Sequence, residues 1–145
     1  MGNKKVKKPH ETQSVIKDYV SQKSSVKDLA ANDTFVISLK HLDKTQGSSM
    51  YDWEKNQMLA LTMDTLGGYC SRPLNQQFGE KFTLYGEFPS KSNFTHPSHV
   101  PQDAKWARIH INGTHIIAGH IYQNTFYIVF FDHDHTFYIT EKKHT

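Results

Sequence analysis

The pattern of apolar and polar positions predicts two short helices and one strand in the first part of the chain. Apolar residues recur at helical spacing near the N-terminus, at Val15, Ile16, Tyr19 and Val20. After a break at Ser24-Ser25, a second short helix is expected to end near Ala31. Residues 34–42 then alternate apolar and polar side chains, which is typical of a half-buried strand.

A longer helix is predicted over residues 50–66. Ser49 and Asp52 match a capping box, in which the serine accepts a hydrogen bond from a backbone N–H of the first turn. An apolar stripe at helical spacing follows, at Leu59, Met63 and Leu66. Gly67-Gly68 is expected to end this helix, because glycine is favoured just beyond a helix C-terminus.

The C-terminal half predicts an antiparallel β-meander. Asn112-Gly113 and Gln123-Asn124 are two-residue turn signals that join three β-rich segments, residues 106–111, 114–122 and 125–131. Residues 81–85 and 135–140 suggest two further short strands, and residues 86–102 form a long loop with three prolines. The predicted fold class is therefore α+β: N-terminal helices and one strand, then a C-terminal antiparallel β-meander.

Length and charge fit one globular domain without a broad basic surface. The chain has 145 residues and a formal net charge of +3. Removing the charged residues of the two tails leaves 11 basic and 13 acidic residues. Residues 1–9 are interpreted as a disordered basic tail and residues 10–145 as a single domain.

The sequence contains neither a disulfide framework nor an apolar stretch of membrane-spanning length. Cys70 is the only cysteine, so no internal disulfide can form, and this suits a reducing, cytoplasmic location. No segment approaches the roughly 20 apolar residues that a spanning helix needs. No membrane association and no cofactor are therefore expected.

Two two-residue turns would bring four ionisable side chains together on one face of the meander. With the turns at Asn112-Gly113 and Gln123-Asn124, His110 faces His115, and His115 faces Asp132. Arg108 lies two residues before His110, on the same face. Directly opposed side chains are about 5 Å apart at Cβ, so these four can interact.

Such a cluster suits acid–base cleavage of RNA. A histidine can take or give a proton, and an arginine can hold a phosphate. His133 and His135 leave the last strand beside the patch, and Asp132 can orient an imidazole. The same histidines with Asp132 can instead bind Zn²⁺ or Mn²⁺, although no paired metal motif is present.

Residues outside the meander are candidates for substrate binding. Lys81 and Lys91, together with His96 and His99, can contact phosphates from the segments before the meander. Tyr138 lies near the terminal histidines and can assist a site there. The alternative is that these are solvated loop residues or, for Tyr138, a packing residue.

The order of a strand, a helix and a terminal meander resembles the RelE/YoeB/HigB-like mRNA interferase toxins. The stretch Trp106-Ala107-Arg108-Ile109, the stretch His115-Ile116-Ile117 and the run ending at His135 are similar to that family's C-terminal half. The resemblance implies a metal-independent endoribonuclease that cuts mRNA on the ribosome and is neutralised by an antitoxin protein. It also implies that Arg108 binds phosphate, while His115 and one of the histidines His133 and His135 occupy catalytic positions.

The sequence departs from that family in ways that leave other functions open. Members are usually strongly basic, a histidine stands where an arginine is expected, and the loop over residues 86–102 is additional. The leading hypothesis is an endoribonuclease toxin of a toxin–antitoxin system. The alternatives are a non-enzymatic inhibitor or binding protein of a phage or mobile element, and a metal-dependent nuclease using His and Asp ligands.

Overall fold

A computed structural model describes residues 34–73 and 76–140. Five strands form one mixed sheet: β1 (Val36–Ser38), β2 (Phe82–Gly86), β3 (Lys105–Asn112), β4 (His115–Tyr122) and β5 (Thr125–Asp132). Two helices lie between β1 and β2, namely α1 (Met50–Lys55) and α2 (Leu59–Cys70). The predicted basic tail and N-terminal helices lie outside the described residues.

The sheet order is β1-β5-β4-β3-β2, with β1 parallel to β5 and the other pairs antiparallel. The predicted α+β class and the central meander of β3, β4 and β5 are confirmed. The strand predicted over residues 34–42 forms only over Val36–Ser38. The strand predicted over residues 81–85 is present as β2, and the long loop that follows it contains no helix or strand.

The predicted single helix over residues 50–66 is wrong in its bounds. Ser49 does cap α1, accepting a hydrogen bond from the Asp52 backbone N–H. The chain then breaks at Gln57, which has a left-handed φ of 62°, and restarts as α2. That second helix continues through Gly67-Gly68 to Cys70, because a glycine inside a helix costs only about 1 kcal/mol.

The break between the helices changes which side chains are buried. Trp53 is fully buried, and its indole Nε1 donates to Thr62 Oγ1 at 2.8 Å, which joins α1 to α2. The buried residues of α2 are Thr62 and Leu66, whereas Met63 of the predicted apolar stripe is 63% exposed. The predicted stripe lies wholly within α2, and only Leu59 and Leu66 of its three members pack against the core.

Both faces of the sheet are covered. We call the face under α1 and α2 the helical face; its core includes Trp53, Leu66, Phe82, Ile109, Ile117, Phe126 and Phe131. The opposite face, which we call the loop face, packs against the 87–104 loop and the segment after β5; its core includes Phe94, Val100, Trp106, Ala118, Phe130 and Phe137. None of the described helices is both long and apolar enough to cross a membrane.

The predicted strand over residues 135–140 does not form. Asp132, at the end of β5, is 2% exposed, and its carboxylate accepts hydrogen bonds from the backbone N–H groups of Asp134 and Phe137. These bonds curl the chain into a turn. The segment after the turn instead pairs with the long loop through Asn93 N to Thr136 O and Ile139 N to Lys91 O.

Candidate acid–base site

Two β-bulges shift the register on which the sequence-based site depended. The first turn lies at Gly113-Thr114 and not at the predicted Asn112-Gly113, so Asn112 pairs with His115. Ile111 then has no partner in β4, and His110 pairs with Ile116 and not with His115. A second irregularity, at Val129, pairs Asp132 with Ile116 and not with His115. The predicted pairs of His115 are therefore wrong, since an extra residue in a strand moves the following side chains to the other face.

The four predicted residues are consequently divided between the two faces. Arg108, His110 and Asp132 belong to the loop face, and His115 lies on the helical face, where its ring is 5.1 Å from that of Trp53. Both oxygens of the Asp132 carboxylate accept hydrogen bonds from the turn that follows it, so this side chain has a structural role.

His133 lies near Ser48 and His115, at the edge of the helical face. His133 Nδ1 is 2.9 Å from Ser48 Oγ, its Nε2 is 3.2 Å from Asp134, and its ring is 6.4 Å from that of His115. His133 and Asp134 are 50% and 65% exposed, so solvent screens their ion pair. His135 is half-buried at a left-handed φ of 60°.

Two of the three predicted substrate-binding residues lie together. Lys91 and Tyr138 line one cavity beside the C-terminal segment. Lys81 is exposed at the start of β2, and its carbonyl accepts a hydrogen bond from the His110 backbone N–H. Tyr85 connects Arg108 with Tyr138. Its hydroxyl accepts a hydrogen bond from Arg108 Nε at 2.7 Å, and its ring stacks on that of Tyr138.

A different group of histidines converges on the loop face. We call His41, His96, His99 and His120 the histidine cluster. His41 Nδ1 and His120 Nε2 are 2.9 Å apart, a hydrogen bond that joins residues 79 positions apart in the chain. Both rings stack on Tyr127, at 4.6 Å for His41 and 4.8 Å for His120. His120 and Tyr127 are paired directly across β4 and β5, as the two-residue turn at Gln123-Asn124 predicts.

Burial keeps His120 uncharged. Desolvation lowers its pKa from 6.5 to about 3, and the neighbouring His41, His96 and His99 lower it as well. The pKa of His41 is also lowered, first by burial and then by the charges of Lys40 and His99. Both imidazoles of the hydrogen-bonded pair are therefore mainly neutral at pH 7, so that one donates the proton they share and the other accepts it.

His99 is exposed beside this pair, and its Nε2 lies 2.7 Å from the carbonyl oxygen of His41. A carbonyl only accepts, so Nε2 of His99 carries a hydrogen and Nδ1 remains to exchange a proton. The charge of His99 also affects the pKa of Asp43. Partial burial raises the pKa of Asp43, but hydrogen bonds from Thr45 and Gln46 and the charge of His99 outweigh it, and the pKa is lowered.

Sequence patterns indicate some of these histidines as candidates but do not predict that they lie together. The turn at Gln123-Asn124 predicts the pairing of His120 with Tyr127, and His96 and His99 are predicted to contact phosphates. The sequence pattern places His41 only in the predicted strand over residues 34–42. It follows β1 and reaches His120 because β1 pairs in parallel with β5, a long-range contact that no local pattern reveals.

Comparison of this chain with protein-family models, with curated proteins and with solved structures found no match. Across residues 34–73 and 76–140, no three His, Cys, Asp or Glu side chains are arranged to hold a metal ion. The chemical interpretation of the site therefore depends on its own geometry.

Proposed function

We propose that this protein is a metal-independent endoribonuclease that uses the histidine cluster for acid–base catalysis. The observation that carries the proposal is the 2.9 Å hydrogen bond between His41 and the buried His120. A base with a lowered pKa is neutral at pH 7, and a fixed partner holds its ring in one orientation. Both properties favour a general base.

The arrangement of His41, His99 and Lys40 suggests that the reaction is a transesterification. His41 takes the proton of an RNA 2′-hydroxyl, and the 2′-oxygen attacks the adjacent phosphorus. The bond from phosphorus to the 5′-oxygen breaks, and His99 gives its Nδ1 proton to that leaving oxygen. The products are a 2′,3′-cyclic phosphate and a 5′-hydroxyl, and the nearby Lys40 ammonium stabilises the negative phosphorane.

In this scheme His120 is a positioning residue, since it is 1% exposed and acts through His41. Placement of the site at His41 and His99 replaces the arrangement predicted from the sequence around Arg108, His110 and His115. The proposal keeps the reaction class and changes the residues that perform it.

The toxin assignment forms part of the proposal. In the described residues a strand and two helices precede the meander, which is the element order on which the resemblance to mRNA interferases rests. On this proposal the substrate is mRNA, bound on the ribosome, and an antitoxin protein blocks the toxin in the cytoplasm. Induced expression of the wild type then arrests growth, and His41→Ala relieves the arrest.

Purified protein and a labelled single-stranded RNA in EDTA test the chemistry. His41→Ala and His99→Ala are each expected to slow cleavage by about 100-fold or more, as loss of a general acid or base does. Lys55→Ala, at an exposed position of α1 on the opposite face, is the matched control. Full activity in His41→Ala with loss in His115→Ala would place the site where the sequence analysis did. Loss of wild-type activity in EDTA would favour the metal-dependent nuclease.

A non-enzymatic binding protein is the second candidate, and one surface favours it. A cavity of about 740 Å³ beside α1 is lined by apolar residues that include Leu39, Leu42, Met50, Tyr51 and Leu59. Tyr51 is 82% exposed and Leu39 is 52% exposed, and exposed apolar patches often mark protein interfaces. Normal growth with soluble wild-type protein, and no RNA cleavage, would support this candidate and reject the nuclease.

A further inference from the structure

The C-terminal segment presents a tyrosine ring beside two cations, away from the histidine cluster. Tyr138 stacks face to face on Tyr85, with ring centroids 4.5 Å apart and planes at 9°. It remains 37% exposed, and it lines a cavity of about 340 Å³ together with Ser90, Lys91, Ile139 and Thr140. One face of this ring is therefore covered by Tyr85, while part of the ring is open to the cavity.

We call the stacked rings of Tyr138 and Tyr85 the platform, and backbone hydrogen bonds around it hold it in place. The Asp132 carboxylate accepts from Phe137 N at 2.7 Å, which places the segment that contains Tyr138. Ile139 N donates to the carbonyl of Lys91 at 3.1 Å, so the two cavity walls are joined. A ligand that enters the cavity thus meets an aromatic ring whose position is already set, which lowers the entropic cost of binding.

Arg108 places a positive charge beside the Tyr85 ring of this platform. Its Nε donates to Tyr85 Oη at 2.7 Å, which leaves the two terminal amino groups of the guanidinium for another acceptor. In the part of the chain that the structure describes, no carboxylate forms a salt bridge with Arg108. A guanidinium ordered in this way is suited to a phosphate, because it offers two parallel donors.

We propose that the Tyr138–Arg108–Lys91 surface binds a nucleotide of single-stranded RNA, with the base stacked on Tyr138 and a phosphate held by Arg108 and Lys91. Aromatic rings interleaved with cations bind single strands in this way without reading sequence. The surface is a binding site only, and bond cleavage takes place at the histidine cluster. The proposal rests on the proposed function for the identity of the strand.

The two sites belong to the same side of the sheet. Ring contacts lead from one to the other: Tyr85 to Phe137 at 6.0 Å, Phe137 to Trp106 at 5.5 Å, and Trp106 to His120 at 6.0 Å. These contacts pass through the buried Phe137 and Trp106, so they place both sites on the loop face of the sheet. On this proposal the platform binds a different nucleotide of the strand from the one whose bond is cut.

The test measures binding apart from cleavage. A fluorescently labelled 2′-O-methyl RNA oligonucleotide lacks the attacking hydroxyl, so its anisotropy reports affinity alone. Tyr138→Ala is expected to weaken binding about tenfold and Tyr138→Phe to leave it near the wild-type value, because the phenyl ring still stacks. Arg108→Gln is expected to weaken binding and to reduce the salt dependence by about one phosphate contact.

Three controls make the result specific. Tyr51→Ala removes an exposed tyrosine on the other side of the sheet and should bind as the wild type does. Thermal melts confirm that each variant is folded, and Arg108→Lys replaces Arg108→Gln if the latter is not. Adenosine 5′-monophosphate is added as a competitor. If it displaces the oligonucleotide with the same affinity, the ligand is a free nucleotide, and the proposal of a single-stranded RNA ligand is rejected.

The outcomes separate this proposal from the proposed function. Unchanged affinity in folded Tyr138→Ala and Arg108→Gln, or no binding by the wild type, overturns the nucleotide site even if RNA is cleaved. Binding that Tyr138→Ala weakens supports the nucleotide site even if no cleavage is found, and in that case the protein is an RNA-binding protein.

Discussion

The buried His120 makes the stability of the protein depend on pH in a specific direction. Its pKa is about 3 in the folded protein and 6.5 in the unfolded chain. Between these pH values the unfolded chain binds a proton at this position and the folded protein does not. The stabilisation is therefore fully present above pH 6.5 and is lost as the pH falls toward 3.

The size of the effect follows from linkage. At about pH 5 the unfolded imidazole is nearly all protonated and the folded one is nearly all neutral, so the free energy of unfolding falls by about 2 kcal/mol relative to about pH 7.5. The lowered pKa of His41 acts in the same direction. The carboxylate of Asp43 does not contribute in this range, because its pKa is lowered from 3.8.

The assay is urea unfolding of the wild type and of His120→Gln at the two pH values. Trp53 and Trp106 are both fully buried, so their fluorescence reports unfolding. The histidines that do not touch His120 are common to both proteins, and their effects cancel in the comparison, whereas any change at His41 is part of the measured difference because it is hydrogen-bonded to His120. The wild type should lose about 2 kcal/mol more than His120→Gln on acidification. Equal losses would refute the account, as would an NMR titration of the His120 ring with a midpoint near 6.5.

Three further predictions concern the scaffold. Asp132→Asn should lower the free energy of unfolding by about 2 kcal/mol in urea, because the charged acceptor of Phe137 N is lost; an unchanged value would contradict the role of this turn. Gly119→Ala should destabilise by more than about 2 kcal/mol, since a Cβ there would lie 2.0 Å from the Tyr127 carbonyl. Gly67→Ala, in α2 with open space around it, should stabilise by about 0.5–1 kcal/mol, and a lower melting temperature would contradict this.

The central sheet could be predicted because its signals are local. Turn residues flanked by β-rich segments define three consecutive strands, although the first turn lies at Gly113-Thr114, one residue later than predicted. The second turn lies at Gln123-Asn124, as predicted. The bulges at Ile111 and Val129 could not be predicted, because nothing in those strands marks an extra residue. One inserted residue reverses the face of every side chain beyond it, and this separated His115 from Arg108 and His110.

The candidate site depended on contacts between distant parts of the chain. His41 follows β1, His99 lies in the long loop and His120 lies in β4, and only the parallel pairing of β1 with β5 brings the first beside the third. The break at Gln57 could not be predicted, for a similar reason. It is stabilised by the tertiary bond from Trp53 to Thr62, and not by a helix-breaking residue type.

The pH dependence of RNA cleavage under single-turnover conditions in EDTA tests the central claim most directly. A neutral base at His41 predicts that cleavage is lost as the pH falls, with the midpoint of this loss below 6.5 because the pKa of His41 is lowered. In His120→Gln cleavage should persist at a reduced rate, since the ring of His41 loses the hydrogen-bond partner that fixes its orientation. Absence of cleavage, or a profile that is the same in the wild type and in His41→Ala, would contradict the account.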